Sequence, residues 1–346
     1  MPFGSPVVLI VSLALATSIS RGQATPGAAD VAVADAIGAA LQGNSARAVR
    51  LLRQVPENDF SPADRTFRAC MLRRFDDEAP EPASSPLPDS FAQQTLDHYR
   101  TYWRASLLRP EARPEAEARL LRELGQLLQR EDAADLDALE PELIERLERS
   151  GYHALLGVTL PLRELMMWTK QDTRAVKVEL PEGVHTTEVV YLDDFASMGW
   201  SYYATCGRRG TGGWATDKAL YAVVPRYKDL DGEEFRVTFL GHETQHFSDY
   251  ARFPGLPQWE LEYRAKLTEL AYADATRASV LRKLTEDQGD DPQSPHAYAD
   301  KRVLQALRQR LGLPPDADLG AVTGPRLRAA AADELRADSQ RRTAAR

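Results

Sequence analysis

Apolar residues return at every third or fourth position through Val33–Leu41, Ala46–Val55 and Pro62–Phe75, with polar turns between the runs. That period keeps one face of an α-helix against a core. Gln42-Gly43-Asn44-Ser45 separates the first two runs. They are predicted to form an antiparallel helical hairpin with Ser45 as N-cap. Asp76–Asp89, with four prolines and five acids, reads as a linker or exposed loop. Helical periodicity resumes at Phe91 and runs to about Ser150, with a proline-marked break at Arg109–Pro114.

After Thr169 the pattern changes. Ala175–Leu180 and Thr187–Leu192 are β-branched and apolar, with a turn beginning Pro181-Glu182-Gly183 between them, and predict two paired strands. Leu220–Val224 predicts a third strand, stopped by Pro225. The glycine-rich stretch Cys206–Gly213 (CGRRGTGG) lacks the Lys-Ser/Thr ending of a phosphate loop and precedes no helical pattern. It reads as a plain connection or a loop closing over a cleft. Helical pattern returns at about Glu234 and continues to the end, where an Ala- and Arg-rich stretch predicts a peripheral helix with a frayed tail. The expected class is α+β: a helical region over residues 25–150, a domain with a small, mostly antiparallel sheet over 151–320, and a helical tail over 321–346. Small-residue spacing in the first hairpin resembles tetratricopeptide-type repeats, without a second repeat at a fixed period.

Composition removes several classes. With 43 Lys+Arg against 51 Asp+Glu, the chain lacks the basic balance of a nucleic-acid binder, so no nucleic-acid partner is expected. Its 2 cysteines cannot build a disulfide scaffold or a Cys-rich zinc ribbon. Pro6–Thr17 is a largely apolar run of 12 residues followed by small residues at Ser18, Ser20, Gly22 and Ala24. This fits a signal peptide over residues 1–24 and a periplasmic or secreted location, an uncleaved anchor being the alternative. No second run reaches membrane length. In an exported chain Cys70 and Cys206 are free to pair.

The chemistry concentrates in Phe235–Tyr250, FRVTFLGHETQHFSDY, which holds two of only 6 histidines in the motif His242-Glu243-Thr244-Gln245-His246. On a helix, positions i and i+4 share a face, so both imidazoles reach one metal ion, while Glu243 stands about 100° around the axis. This HExxH pattern points to Zn2+. A catalytic zinc needs a third protein ligand. Asp249 and Arg252 stand where the metzincin extension requires Gly and His, which excludes that subclass. Phe253-Pro254-Gly255-Leu256-Pro257 reverses the chain, and Trp259 opens a new helix whose first turns carry Glu260 and Glu262. Either carboxylate can face back to the metal.

Glu262-Tyr263-Arg264-Ala265 resembles the E-x-x-A element that carries the third ligand in many gluzincins. Among these is the family of prenyl-protease-like and heat-shock membrane metalloproteases, with its periplasmic relatives. Ser294-Pro295-His296, with Arg302 six residues beyond His296, is similar to that family's His-Pro…Arg stretch. The resemblance spans residues 218–303 and implies a zincin-like domain with zinc on His242, His246 and Glu262. It also implies peptide hydrolysis with Glu243 as general base, and His296 and Arg302 holding the substrate or oxyanion, with Tyr250 and Tyr263 in reserve. Lys266 stands where the family has an Asp that orients a zinc histidine, and Ala297 where it has Pro. The orienting carboxylate is then expected from Asp249 or Glu269. Leu220–Val224, if an edge strand, offers a place for an extended peptide to add.

His98 and His153 fall in helical patterns, and His185 in a turn; all three read as incidental. The tryptophans read as core, with Trp214 a candidate for a cleft wall. The expected protein is an exported zinc metallopeptidase acting on peptides or proteins. The alternative is a binding protein whose N-terminal helices recruit a protein partner and whose zincin-like part is structural or inactive.

Overall fold

A computed structural model describes residues 27–76, 85–216 and 218–344. The expected signal segment and most of the proline-rich linker lie outside these residues. The chain divides into two compact units.

The helical unit comprises the described residues up to Gln171, together with Leu192–Thr211. Its helices are α1 (Ala28–Leu41), α2 (Ser45–Arg53), α3 (Pro62–Arg74), α4 (Ser90–Leu108), α5 (Arg113–Leu128) and α6 (Glu140–Arg149). The first two form the expected hairpin, but the cap is Asn44: its side chain accepts from Arg47 N at 2.9 Å, while Ser45 is the first helical residue and is buried. Ser61 and Asp89 cap α3 and α4 in the same way, and Pro62 opens α3 where its missing N–H is harmless. The apolar stripes meet in one core that includes Leu52, Met71, Tyr99, Trp103, Leu124 and Leu147. Cys70 of α3 is disulfide-bonded to Cys206, so the pairing left open by the sequence is made within this unit.

Three strands follow: β1 (His153–Thr159), β2 (Leu162–Leu180) and β3 (Gly183–Met198), then the short helix α7 (Trp200–Ala204). β1 pairs antiparallel with the start of β2, from His153↔Trp168 to Thr159↔Leu162. His153 is therefore a strand residue and not helical; its ring stacks on Trp168. The predicted strands Ala175–Leu180 and Thr187–Leu192 are parts of two much longer ones. The start of β2, Leu162–Trp168, is buried on nearly every residue, so no two-residue alternation marks it. The two units divide within the long strands, so that β2 and β3 each contribute to both.

The second unit comprises Asp172–Tyr191 and the described residues from Gly212 onward. It contains β4 (Gly213–Ala215), β5 (Leu220–Val223), α8 (Glu233–Phe235), α9 (His242–Arg252), α10 (Gln258–Tyr272), α11 (Arg277–Glu286), α12 (Pro295–Leu311) and α13 (Gly324–Ala344). The strand order in the sheet is β1-β2-β3-β5-β4. Leu220–Val223 is thus an internal strand, and the expected peptide-adding edge is not there; β4 is the edge on that side. Gly213 is required in β4, because a Cβ there would overlap Tyr221 O and the Phe239 ring. Val178, Val189, Leu220 and Ala222 pack on Phe235, Phe239 and Leu240, which fixes the helical run leading into α9. A second core gathers Leu267, Leu270, Val303, Leu307, Leu327 and Leu335 from α10, α12 and α13. The C-terminal helix is accordingly a core element and not a frayed, peripheral one.

Candidate metal centre

The run into α9 is not plain α-helix: Arg236–Gly241 is a π-helical segment, and α9 starts at His242. His242 and His246 stand one turn apart with ring centroids 4.9 Å from each other. The reversal after α9 uses Gly255 at φ 87°, a backbone conformation that glycine adopts without strain. It returns α10 alongside α9, and Glu262 faces the two imidazoles: Oε2 lies 3.5 Å from His242 Nε2, and Oε1 lies 3.6 Å from His246 Nε2. One ligand atom from each of the three residues lies within 4.8 Å of the others, and all three residues are buried. Glu260 points elsewhere, pairing with Arg342 of α13. The choice left open by the sequence falls on Glu262.

Glu269, two turns beyond Glu262, accepts from His242 Nδ1 at 2.5 Å. That bond fixes the ring and turns Nε2 toward the cluster. Burial works against a charged His242, but the Glu269 hydrogen bond and the carboxylates of Glu262, Glu269 and Glu243 outweigh it and push its pKa up to about 9. Burial also raises Glu262, yet His246 and His296 hold it well below the usual carboxylate range. Glu243 is wholly buried, neither carboxylate oxygen has a hydrogen-bond partner among the described residues, and burial pushes its pKa up.

Asp249, the other expected orienting carboxylate, serves a different purpose. It accepts from Gln245 Nε2 at 2.9 Å and lies 2.9 Å from Arg264 Nε. Arg264, fully buried, also donates to Asp338 (2.7 Å), Ser339 (3.0 Å) and Glu182 (3.1 Å). Thr268 donates to Gln245 Oε1 at 2.9 Å. One polar chain thus ties α9, α10, α13 and the β2–β3 turn together just behind the histidines. The sequence carried no signal for Arg264 beyond its place in E-x-x-A. Lys266 lies 2.9 Å from Asp300 of α12, so it neither replaces nor blocks Glu269.

His296 opens α12 and sets Nδ1 at 2.9 Å from Glu262 Oε2, with its side chain 46% exposed. Arg302 does not join it. Six residues along an α-helix amount to about 240° of rotation, which puts the two on different faces. Arg302 donates to Tyr298 Oη at 2.6 Å and lines a groove of about 590 Å³ with Trp259 and Tyr263. Tyr263 donates to Glu334 at 3.2 Å, whereas Tyr250 is exposed with its ring 6.5 Å from His246. Trp214 is stacked on Tyr221 and buried, which makes it core rather than cleft wall. His98 pairs with Glu123 in the helical unit, outside the cluster.

The charges explain the arrangement. Asp249, Asp300, Glu334 and Asp338 are buried, and each pairs with an Arg or Lys. Glu243, Glu262 and Glu269 are buried with only histidines, or nothing, against them. Unpaired buried carboxylates are costly. Neither Nε2 atom has a hydrogen-bond partner among the described residues, and both converge on Glu262, whose Oε2 is otherwise met only by the half-exposed His296. Two imidazoles and a carboxylate with orphaned lone pairs are a donor set that can hold a metal ion. Comparison of the chain with protein-family models, with curated proteins and with solved structures finds no match in any of the three.

Proposed function

We propose that the chain is an exported zinc-dependent peptide hydrolase of the gluzincin type. The observation that carries the reading is the pairing of two features. An orphaned His242–His246–Glu262 donor set adjoins Glu243, a wholly buried carboxylate with no partner of its own. A purely structural metal site takes four protein ligands and has no use for an idle carboxylate beside it.

Zinc on His242, His246 and Glu262 would supply a Lewis acid able to make water nucleophilic near neutral pH. The chain's own groups then have defined tasks. Glu269 keeps the His242 ring in one tautomer and orientation. Glu243 takes the proton of the attacking water on a carboxylate oxygen and delivers it to the leaving amine. Its raised pKa matches it to that exchange. His296, half exposed beside Glu262, is placed to donate to the carbonyl oxygen of the substrate as charge develops there, with Tyr250 as the other donor at the rim. Export is supported by the Cys70–Cys206 disulfide and by the apolar N-terminal run. No helix among the described residues is long and apolar enough to cross a membrane.

The test is cleavage of a mixed peptide library by the zinc-loaded chain and by Glu243→Gln. The variant is expected to keep its zinc and to lose about 10²–10⁴-fold in rate. Equal cleavage by both removes Glu243 as base. Zinc without any cleavage moves the reading to a partner-binding protein with a structural site.

A further inference from the structure

Glu243 is not the only polar group buried near the cluster without a partner. Tyr227, just after the 3-10 turn that ends β5, is 8% exposed, and its hydroxyl oxygen makes no hydrogen bond among the described residues. The ring itself sits where a phenylalanine would be at home, edge-on to Phe235 at 4.8 Å and tilted on Phe239 at 5.9 Å. Leaving a hydroxyl unsatisfied in such a core is destabilising, a cost that phenylalanine avoids. Retaining it calls for a use.

Phe235, Phe239 and Glu243 recur at four-residue spacing along one helical run, and the first two rings stack at 5.4 Å. Residues at that spacing share a face. Tyr227 covers the first two members of this row, and the third is the carboxylate. Burial raises the phenol's pKa, and Glu243 is the charge that raises it further, ahead of Glu234. Two unsatisfied buried groups, one a donor and one an acceptor, therefore belong to the same small region.

We propose that Tyr227 is a positioning residue for Glu243, its phenol O–H donating to the carboxylate and holding it toward the His242–His246–Glu262 cluster while it accepts the proton of water. The inference rests on the reading of Glu243 as general base. The contact acts on proton transfer and not on substrate binding, so its loss falls on kcat and kcat/KM together rather than on KM.

The variant is Tyr227→Phe in the full, zinc-loaded chain, assayed on a peptide that the parent cleaves. Expected are a 10- to 100-fold fall in kcat, KM within twofold, unchanged zinc content, and a melting temperature equal to or above the parent's. A merely structural hydroxyl would give the opposite stability result. Rates within twofold of the parent, or a fall in melting temperature that accompanies the loss of rate, overturn the proposal. A parent chain that cleaves nothing overturns the peptidase reading and this proposal with it. An active parent with an equally active variant overturns this proposal alone.

Discussion

Among the described residues, the helical unit buries one acidic or basic side chain, Glu164, while the unit with the candidate metal cluster (the metal unit) buries ten: two histidines, Arg264 and seven carboxylates. The first is held by aliphatic and aromatic packing and a disulfide, and it uses its single buried acid locally. Glu164 Oε1 accepts from Trp200 N at 2.9 Å and Leu165 N at 3.1 Å, which anchors the start of α7. Gly199 at φ 87° makes room for that carboxylate, since a Cβ would overlap it. In the metal unit, by contrast, buried charge is ordered in two tiers. Four carboxylates answer to Arg or Lys and lock helices together, two answer to histidines at the cluster, and Glu243 stands beside them without a partner. Charge is expensive to bury, so its concentration in one unit marks where the chain departs from simple packing.

That contrast can be broken at its strongest point by Arg264→Met. Removing the cation strands Asp249 and takes one partner from Asp338 and Glu182, which keep Arg342 and Arg252; the expected loss is about 3–5 kcal/mol in chemical unfolding, with zinc affinity falling as α9 loosens. A loss below about 1 kcal/mol would mean that the carboxylates find other partners. Reducing Cys70–Cys206 should act on the other unit. With a sequence separation of 136 between the cysteines, about 2–4 kcal/mol is expected from the helical unit, with zinc content unchanged. Zinc released on reduction would contradict the separation.

The smallest effect is a pH dependence. Burial, opposed by the Trp200 and Leu165 amides, raises Glu164 from 4.5 to about 7. A carboxyl whose folded pKa is raised favours the native state while it is protonated. Its contribution is whole below pH 4.5 and is lost as pH rises through about 7. Between pH 5 and 7.5 the parent should lose about 2 kcal/mol that Glu164→Gln retains. Parallel stability curves for the two proteins would remove Glu164 as the source.

Much of this division was legible in the chain. Helical periodicity marked α1–α6, and HExxH, the Pro254–Pro257 reversal and Glu262 marked the cluster, because those features are local in sequence. Glu269 was recoverable as one of two acids, being two turns beyond Glu262. What stayed hidden depends on distant partners or on burial that erases alternation. The start of β2, Leu162–Trp168, is buried on both faces, which erases the alternation that marks a strand. The π-helical segment before His242 has no compositional mark. Arg264, Asp338 and Glu182 are distant in sequence and carry no local mark of their pairing, which α13 and the β2–β3 turn bring about. Arg302, paired with His296 by the resemblance, stands on another face of α12 and donates to Tyr298, since six residues on a helix turn a side chain away from its neighbour.

Metal analysis of the purified chain tests the central claim most directly, using protein expressed with zinc and compared with Glu262→Ala and Glu260→Ala. One zinc per parent chain is expected, with none on Glu262→Ala and a full complement on Glu260→Ala. A metal-free parent, or a Glu262→Ala variant that keeps its zinc, would contradict the assignment.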